Sequence, residues 1–162
     1  MFAPAQRRLA AEVIERCRTA GLRLATAESC TGGLIAGCLT SVAGSSAVLD
    51  RGFVTYDNGA KIDMLGVPDD LLAGEGAVSE GVVRAMAEGA LARAPVEISI
   101  AVTGIAGPEG GSDRKPVGLV HVAAARAGHP TLHERHVFQG DRETVRAATV
   151  EAALALLIKR LA

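Results

Sequence analysis

Residues 22–35, LRLATAESCTGGLI, join a short apolar run to an amphipathic one through small polar residues and glycines. The run at 22–27 has the length and apolar content of a buried β-strand. Leu34, Ile35 and Leu39 then recur at the three-to-four spacing of a helix face. A strand that passes directly into a helix is the basic unit of α/β folds, and here it places residues 29–33 at a helix N-terminus.

Helices and strands alternate on both sides of this stretch. We predict helices at 6–19, 31–41, 79–94 and 141–160, a short helix capped by Asn58 that ends at Gly66, and a helical turn after Pro68. We predict strands at 22–27, 47–56 with a bulge near 50–52, 96–102, 117–125 and 132–138, the last two joined by a connection at 126–130. The pattern predicts one domain over residues 1–162, a layered α/β/α fold with a mixed, mostly parallel sheet.

Composition excludes several classes of function. The 162 residues are 49% hydrophobic, which is enough for one core. Seventeen Lys and Arg against eighteen Asp and Glu leave a net charge of -1, without the basic excess that nucleic-acid binding needs. No apolar run approaches the roughly 20 residues of a membrane span, and no signal peptide is recognisable. We therefore expect a cytoplasmic protein with neither nucleic-acid nor membrane partners.

The cysteines and histidines do not indicate a metal site. Cys17, Cys30 and Cys38 show no C-x-x-C spacing, so we expect three reduced thiols. His133 and His136 lie in an alternating stretch without a nearby Cys or carboxylate cluster to complete a ligand set. We therefore expect no bound metal.

Two polar loops follow predicted buried strands, at 28–33 and 103–112. Ligands of open α/β sheets bind beyond the carboxyl ends of parallel strands, so these loops are expected to flank one crevice. In the first loop the glycines and the helix N–H groups favour an anion. Neither loop matches the dinucleotide pattern G-x-G-x-x-G or the P-loop pattern, and the alternative is that both merely turn the chain.

A second group of reactive residues surrounds the strand at 47–56 and consists of Ser45, Ser46, Tyr56 and Lys61. A lysine acts as a general base toward a serine only when it is neutral, which requires lowering its pKa from about 10.4. The alternative is an exposed lysine on a short helix. At the start of the last helix, Arg142 is a candidate ligand for phosphate or carboxylate, with solvated arginines behind a capping Asp141 as the alternative.

Seven motifs in a fixed order, spread over nearly the whole chain, resemble those of the CinA C-terminal domain family. They are AESCTGG at 27–33, GSS at 44–46, RGFVTYDNGAK at 51–61, AVSE at 77–80, TGIAGPEGGS at 103–112, KPVG at 115–118 and GDR at 140–142.

The resemblance implies an activity. Characterised members of that family hydrolyse the carboxamide of nicotinamide mononucleotide to nicotinate mononucleotide and ammonia, without a metal or an organic cofactor. A chain of this length resembles the stand-alone form of the domain. A small apolar-rich domain often completes its crevice with a neighbour, so we also expect a homo-oligomer.

Roles are carried over residue by residue from this resemblance. Ser46 is expected to be the nucleophile and Lys61 its base, with Tyr56 assisting, and Ser29 and Thr103 are expected to donate hydrogen bonds to the developing oxyanion. The remaining residues expected to bind substrate are Thr31, Gly32, Gly33, Ser45, Asn58, Gly104, Gly107 and Arg142, the last as the phosphate ligand.

Several alternatives remain open from the sequence. Ser29 or Ser45 could replace Ser46 as nucleophile, and the Cys30 thiol is a further candidate. Asp57, four residues before Lys61, would raise the pKa of the lysine and oppose its role as base. A non-catalytic pyridine-nucleotide-binding or competence-related protein is therefore the alternative to the amidase.

Overall fold

A computed structural model describes all residues from 1 to 162 as six helices and five strands. The helices are α1 (Pro4–Ala20), α2 (Leu34–Thr40), α3 (Asn58–Leu65), α4 (Asp69–Glu75), α5 (Glu80–Arg93) and α6 (Arg142–Leu161). The strands are β1 (Leu24–Glu28), β2 (Leu49–Val54), β3 (Ile98–Gly104), β4 (Leu119–Arg126) and β5 (His129–Val137), and a 3₁₀ turn spans Ser45–Ala47. None of the helices combines the length and apolar composition needed to cross a bilayer.

The five strands form one mixed sheet in the order β2-β1-β3-β4-β5. β1 pairs in parallel with β2 and β3, whereas β4 pairs antiparallel with β3 and β5. Four of the five strands therefore run in one direction and only β4 opposes them. The predicted single-domain α/β fold with a mixed, mostly parallel sheet is confirmed.

Helices cover both faces of the sheet. The larger core lies on the face covered by α1, α2 and α6, where Ile98, Ile100 and Val102 of β3 point. The smaller core lies under α3, α4 and α5 and receives Ala101 of the same strand. Because successive strand residues point to opposite faces, β3 is apolar almost throughout, as expected for a central strand buried on both sides.

Most helix ends follow the signals in the sequence. Gly21 and Gly66 close α1 and α3 in the left-handed conformation that glycine adopts without strain. Ser79 caps α5, since its side chain accepts from Val82 N–H. The cap of α3 differs from the prediction: Asp57 rather than Asn58 is the N-cap, because its carboxylate accepts from Gly59 N–H at 2.8 Å.

Each of the two edge strands, β2 and β5, has one irregular feature. Leu24 pairs with Leu49 and Ala25 with Arg51, so Asp50 is skipped and the bulge predicted in this strand is confirmed. At the other edge the hairpin turn is shorter than predicted, and β5 begins at His129 and includes Pro130. An edge strand tolerates proline because one side of it needs no ladder hydrogen bonds.

Candidate active site

A cavity of about 290 Å³ lies where β1, β2 and β3 end at their carboxyl ends. We call this cavity the crevice. It is lined by Ser29, Cys30, Tyr56, Asn58, Lys61, Ala77, Val78, Thr103, Gly104, Ile105, Ala106, Gly107, Glu109, Gly110 and Arg142. The two glycine-containing loops therefore do flank one crevice, at the edge of the sheet where α/β proteins bind ligands.

Ser29 and Lys61 meet inside the crevice. The Lys61 Nζ atom lies 3.1 Å from the Ser29 Oγ atom, although 32 residues separate them in the chain. The sheet fixes this pair, because Ser29 N–H donates to the Val102 carbonyl and Thr55 N–H donates to the Glu28 carbonyl. These bonds extend the ladders of β1 one residue past each strand end.

The three polar neighbours of Lys61 can satisfy either form of its amine, because an ammonium group can donate to all three oxygens. Its Nζ atom also lies 2.8 Å from the Thr55 carbonyl oxygen and 3.1 Å from the Tyr56 carbonyl oxygen. A neutral amine has two N–H donors and one lone pair. Two carbonyls that only accept and one hydroxyl that can donate satisfy all three.

Burial lowers the pKa of Lys61 below its ordinary 10.5. The side chain is 1% exposed and forms no salt bridge, so its charged form has lost water without gaining a counter-ion. The Asp57 carboxylate acts in the opposite direction and raises this pKa, as the spacing of the two residues predicts, but burial is the larger effect.

The N-terminus of α2 is occupied by the protein itself. The Glu28 carboxylate is 1% exposed and accepts hydrogen bonds from Ile35 N–H at 2.8 Å and Ala36 N–H at 3.0 Å. Thr31 Oγ1 also donates to it, at 2.6 Å. The expectation that this helix end attracts a substrate anion is therefore wrong, since a buried carboxylate already satisfies its N–H groups.

Thr31, Gly32 and Gly33 consequently do not line the crevice. Thr31 is fully buried on Glu28, and the two glycines form the left-handed turn into α2, with φ of 58° and 103°. Arg146 reinforces this turn by donating to the carbonyls of Cys30 and Thr31. Thr31 and the two glycines form the turn that follows Ser29 and lie outside the lining of the crevice.

Tyr56 and Arg142 come together at the rim of the crevice. The guanidinium of Arg142 donates to the Tyr56 hydroxyl at 3.0 Å and to the Gly107 carbonyl at 2.8 Å. Asp141 caps α6 beside it by accepting from Thr144 N–H. The predicted positions of Tyr56, Gly107 and Arg142 in one site agree with this geometry.

Thr103, Asn58 and Gly104 also line the crevice. The Thr103 hydroxyl donates to the Ala77 carbonyl at 2.9 Å, so its proton is not directed at a ligand. The backbone N–H groups of Cys30 and Ala106, by contrast, make no hydrogen bond to another residue. Backbone donors were expected in the first loop, but the sequence does not indicate which N–H groups stay free, since that depends on how the loops fold.

Ser45 and Ser46 lie at the other end of the sheet. They occupy the 3₁₀ turn before the amino end of β2, Ser46 is exposed, and neither residue lines the crevice. The six residues of β2, which span about 16 Å at roughly 3.3 Å per strand residue, lie between this turn and the end of the strand that leads to Lys61. The chain does not bring the expected nucleophile Ser46 to the expected base Lys61.

The Cys30 thiol is poorly suited to attack. Burial is the main reason that its pKa is raised to about 11; its own backbone N–H lowers this pKa and Glu28 raises it, so the thiolate is scarce at neutral pH. The neighbouring Arg146 and Lys61 lower this pKa, but by less than burial raises it.

Comparison with known protein families matches residues 6–161 to the CinA C-terminal domain. An Escherichia coli K12 protein named nicotinamide-nucleotide amidohydrolase PncC is 48% identical over 92% of this chain and 90% of its own length. A CinA-like protein from Syntrophobacter fumaroxidans is 53% identical over 88% of this chain. That alignment covers 34% of the relative, so the chain spans about a third of the length of such relatives.

Solved structures agree with the sequence relatives. The competence/damage inducible protein CihA from Agrobacterium tumefaciens superposes with a TM-score of 0.96 at 51% identity, over 98% of this chain and 97% of that one. A competence damage-inducible protein A from Klebsiella pneumoniae superposes with a TM-score of 0.92 at 46% identity, over 96% of each chain.

Proposed function

The chain belongs to the CinA C-terminal domain family, and we propose that it is an amidohydrolase that acts on nicotinamide mononucleotide. The reaction converts the carboxamide of the pyridine ring to a carboxylate and releases ammonia. The similarity to the Escherichia coli amidohydrolase extends over nearly the full length of both proteins, which supports this activity over one that resides in another domain.

The proposal rests on the contact between Ser29 and Lys61, a buried lysine that forms no salt bridge. Lysine is a base toward serine only in its neutral form, and burial without a counter-ion favours that form here. We assign the nucleophile to Ser29 rather than to Ser46, because Ser29 is the serine within hydrogen-bonding distance of Lys61.

The first half of the reaction forms an ester on Ser29. Lys61 takes the proton from the Ser29 hydroxyl while the oxygen attacks the carboxamide carbon. Lys61 then gives that proton to the departing nitrogen, which leaves as ammonia. In the second half a water attacks the ester and Lys61 accepts its proton. Lys61 then gives this proton to the Ser29 oxygen as the ester bond breaks, and the carboxylate product leaves.

The charge that develops on the amide oxygen needs donors at the crevice. The free N–H groups of Cys30 and Ala106 are the candidates, since both residues line the crevice and neither N–H donates to another residue. Thr103 positions the 77–78 segment through Ala77 instead of donating to the oxyanion.

Arg142 and Tyr56 are the candidates for holding the rest of the nucleotide. Arg142 spends only two hydrogen bonds on the protein and keeps further N–H donors for a phosphate. The Tyr56 side chain is 62% exposed at the rim, where its ring can lie against the positively charged pyridine ring.

Ammonia release from nicotinamide mononucleotide, with nicotinate mononucleotide identified as the second product, tests the proposal. Nicotinamide riboside, which lacks the phosphate, should be hydrolysed with a higher KM because Arg142 loses its ligand. The absence of ammonia from both compounds would refute the amidase.

A non-catalytic pyridine-nucleotide-binding protein is the second candidate, and Asp57 favours it. Its carboxylate raises the pKa of Lys61 and thereby reduces the neutral fraction that the reaction needs. Saturable binding of nicotinamide mononucleotide in calorimetry, without any ammonia formed, would support this candidate over the enzyme.

A further inference from the structure

A second cavity, of about 660 Å³, lies beside the crevice on the outer side of the 76–79 segment. Its walls are formed by the end of α4, the start of α5, the 112–115 loop and the facing sides of β4 and β5. We call it the basic cavity, because the side chains of Arg114, Lys115, Arg135 and His121 line it.

The three permanent cations of the basic cavity have no partners of opposite charge. Neither Arg114, Lys115 nor Arg135 takes part in a salt bridge anywhere in the chain. Glu75 is the one carboxylate among the lining residues, and Lys115 Nζ donates to its backbone carbonyl rather than to its carboxylate. In a protein with a net charge of -1, this leaves a concentration of uncompensated positive charge in a concave site.

The backbone makes room for one of these cations. Gly76 has φ of 76°, and a Cβ atom there would stand 2.9 Å from Lys115 Nζ. A side chain at this position would therefore displace the ammonium group as well as strain the backbone. On the opposite wall, the hydroxyl of Ser112 accepts from Lys115 N–H and fixes the loop that carries the lysine.

His121 adds an imidazole ring to the lining of the same cavity. Its side chain is 8% exposed, and its Nδ1 atom lies 2.9 Å from Nε2 of His133. The other ring nitrogen, Nε2, makes no hydrogen bond within the protein, although the residue lines the cavity. This nitrogen is therefore available to hydrogen-bond a ligand in the cavity.

The lining restricts the chemistry of the ligand. Val78 and Leu119 are its only hydrophobic residues, and Tyr56 and the three phenylalanines lie elsewhere, so there is no ring to stack a nucleobase. Three cations and a histidine are instead suited to phosphate oxygens. We propose that the basic cavity binds a small diphosphate anion, at a site separate from the crevice.

The two sites share one wall but no charged residue. Val78 lines both cavities, whereas Arg142 belongs to the crevice and Lys115 to the basic cavity. Loss of anion binding in the basic cavity can therefore be measured without altering the groups assigned to hydrolysis.

Calorimetric titration of the full chain with inorganic pyrophosphate at constant ionic strength tests the site. One equivalent should bind saturably, and the double variant Arg114→Ala/Lys115→Ala should raise the Kd at least about a hundredfold, since it removes two charged hydrogen-bond donors. The control is Arg16→Ala/Arg18→Ala on α1, which removes the same charge from exposed ion pairs and should leave the Kd unchanged.

Imidazole NMR of the wild type gives a readout that does not depend on a variant folding. Burial, followed by His133 and Arg135, lowers the pKa of His121 to about 4; Lys115 also lowers it, and Glu80 raises it. A bound diphosphate offsets the two cations, so pyrophosphate should raise the pKa of His121 and leave exposed His129 unaffected. Absence of saturation, equal weakening in both double variants, or an unchanged His121 would each overturn the proposal.

Discussion

Two serine-bearing turns lie at opposite ends of the same pair of parallel strands. Ser29 follows β1, and Ser46 precedes β2 in a turn that begins at Gly44. Ser29 is nearly buried and contacts Lys61, whereas Ser46 is exposed and has no base beside it.

This difference shows that a serine is a candidate nucleophile because of the residues that lie beside it in space, and that its local motif is not enough. Both turns contain glycine and small hydroxyl residues, so the sequence around each looks equally suitable. The parallel ladder then carries only the carboxyl ends of β1 and β2 to the crevice and leaves the amino end of β2 on the far side.

Replacing each serine by alanine is the strongest test of this difference between Ser29 and Ser46. We expect Ser29→Ala to lower kcat for ammonia release by at least about 10³-fold, because removal of a nucleophile costs rates of that order or more. Ser46→Ala should retain activity within about twofold, since an exposed serine outside the crevice touches no reacting atom. Loss of activity in Ser46→Ala with retention in Ser29→Ala would restore the assignment made from the sequence.

Replacing Lys61 by methionine separates activity from stability. We expect kcat to fall by about 10²- to 10⁴-fold, the usual contribution of a general base. The free energy of unfolding should rise at neutral pH, because the variant no longer buries an amine without a counter-ion.

The pH dependence of this stability gain has a definite sign. The folded pKa of Lys61 lies below its unfolded value, so the unfolded state binds more protons, and the folded wild type loses stability relative to it as pH falls below 10.5. The advantage of Lys61→Met should therefore grow as pH decreases from 10.5, in denaturant titrations at several pH values. Lys159→Met, at a lysine exposed and paired with Glu134, is the control and should show no such gain.

A smaller effect on stability is expected when Glu28, whose carboxylate accepts hydrogen bonds in the turn after Ser29, is replaced. Glu28→Gln puts an NH₂ group where a carboxylate oxygen now accepts, so at least one buried donor loses its acceptor. We expect the free energy of unfolding to fall by about 1–3 kcal/mol. The matched change Glu97→Gln, at an exposed carboxylate that accepts from Arg23 N–H, should cost less in the same measurement. Equal losses would show that Glu28 is not the anchor of this turn.

The smallest effect is expected from Asp57, whose carboxylate raises the pKa of Lys61. Asn is as good an N-cap as Asp, so Asp57→Asn keeps α3 and removes only the charge. The pKa of Lys61 should fall further, and the acidic limb of the rate profile should move to lower pH, because the neutral base then persists to lower pH. Asp63→Asn on the same helix is the control, and an identical movement in both variants would contradict a specific role for Asp57.

Much of the fold could be predicted from local patterns. The strand-to-helix unit at 22–35, the apolar run of β3 and the caps at Ser79 and Asp141 each depend on neighbours within a few residues, which the sequence displays directly. The boundaries that were wrong, such as the start of β5, depend on whether a strand lies at an edge, and that is a property of the sheet.

The sequence predicted most residues that line the candidate site, but not which serine contacts Lys61. Lys61, Tyr56, Thr103 and Arg142 all lie at the crevice, as expected from their motifs. The base turned out to face Ser29 rather than Ser46, and the N-terminus of α2 holds Glu28 instead of a substrate anion.

The sequence by itself determined the α/β class, the order of the elements and the residue types available for chemistry, because periodicity, caps and composition act over short stretches of chain. Only the tertiary structure decided which hydroxyl faces the lysine and which cations share a cavity. Strand order and direction bring together residues as distant in sequence as Ser29 and Lys61, and burial then changes the pKa of the groups that meet there.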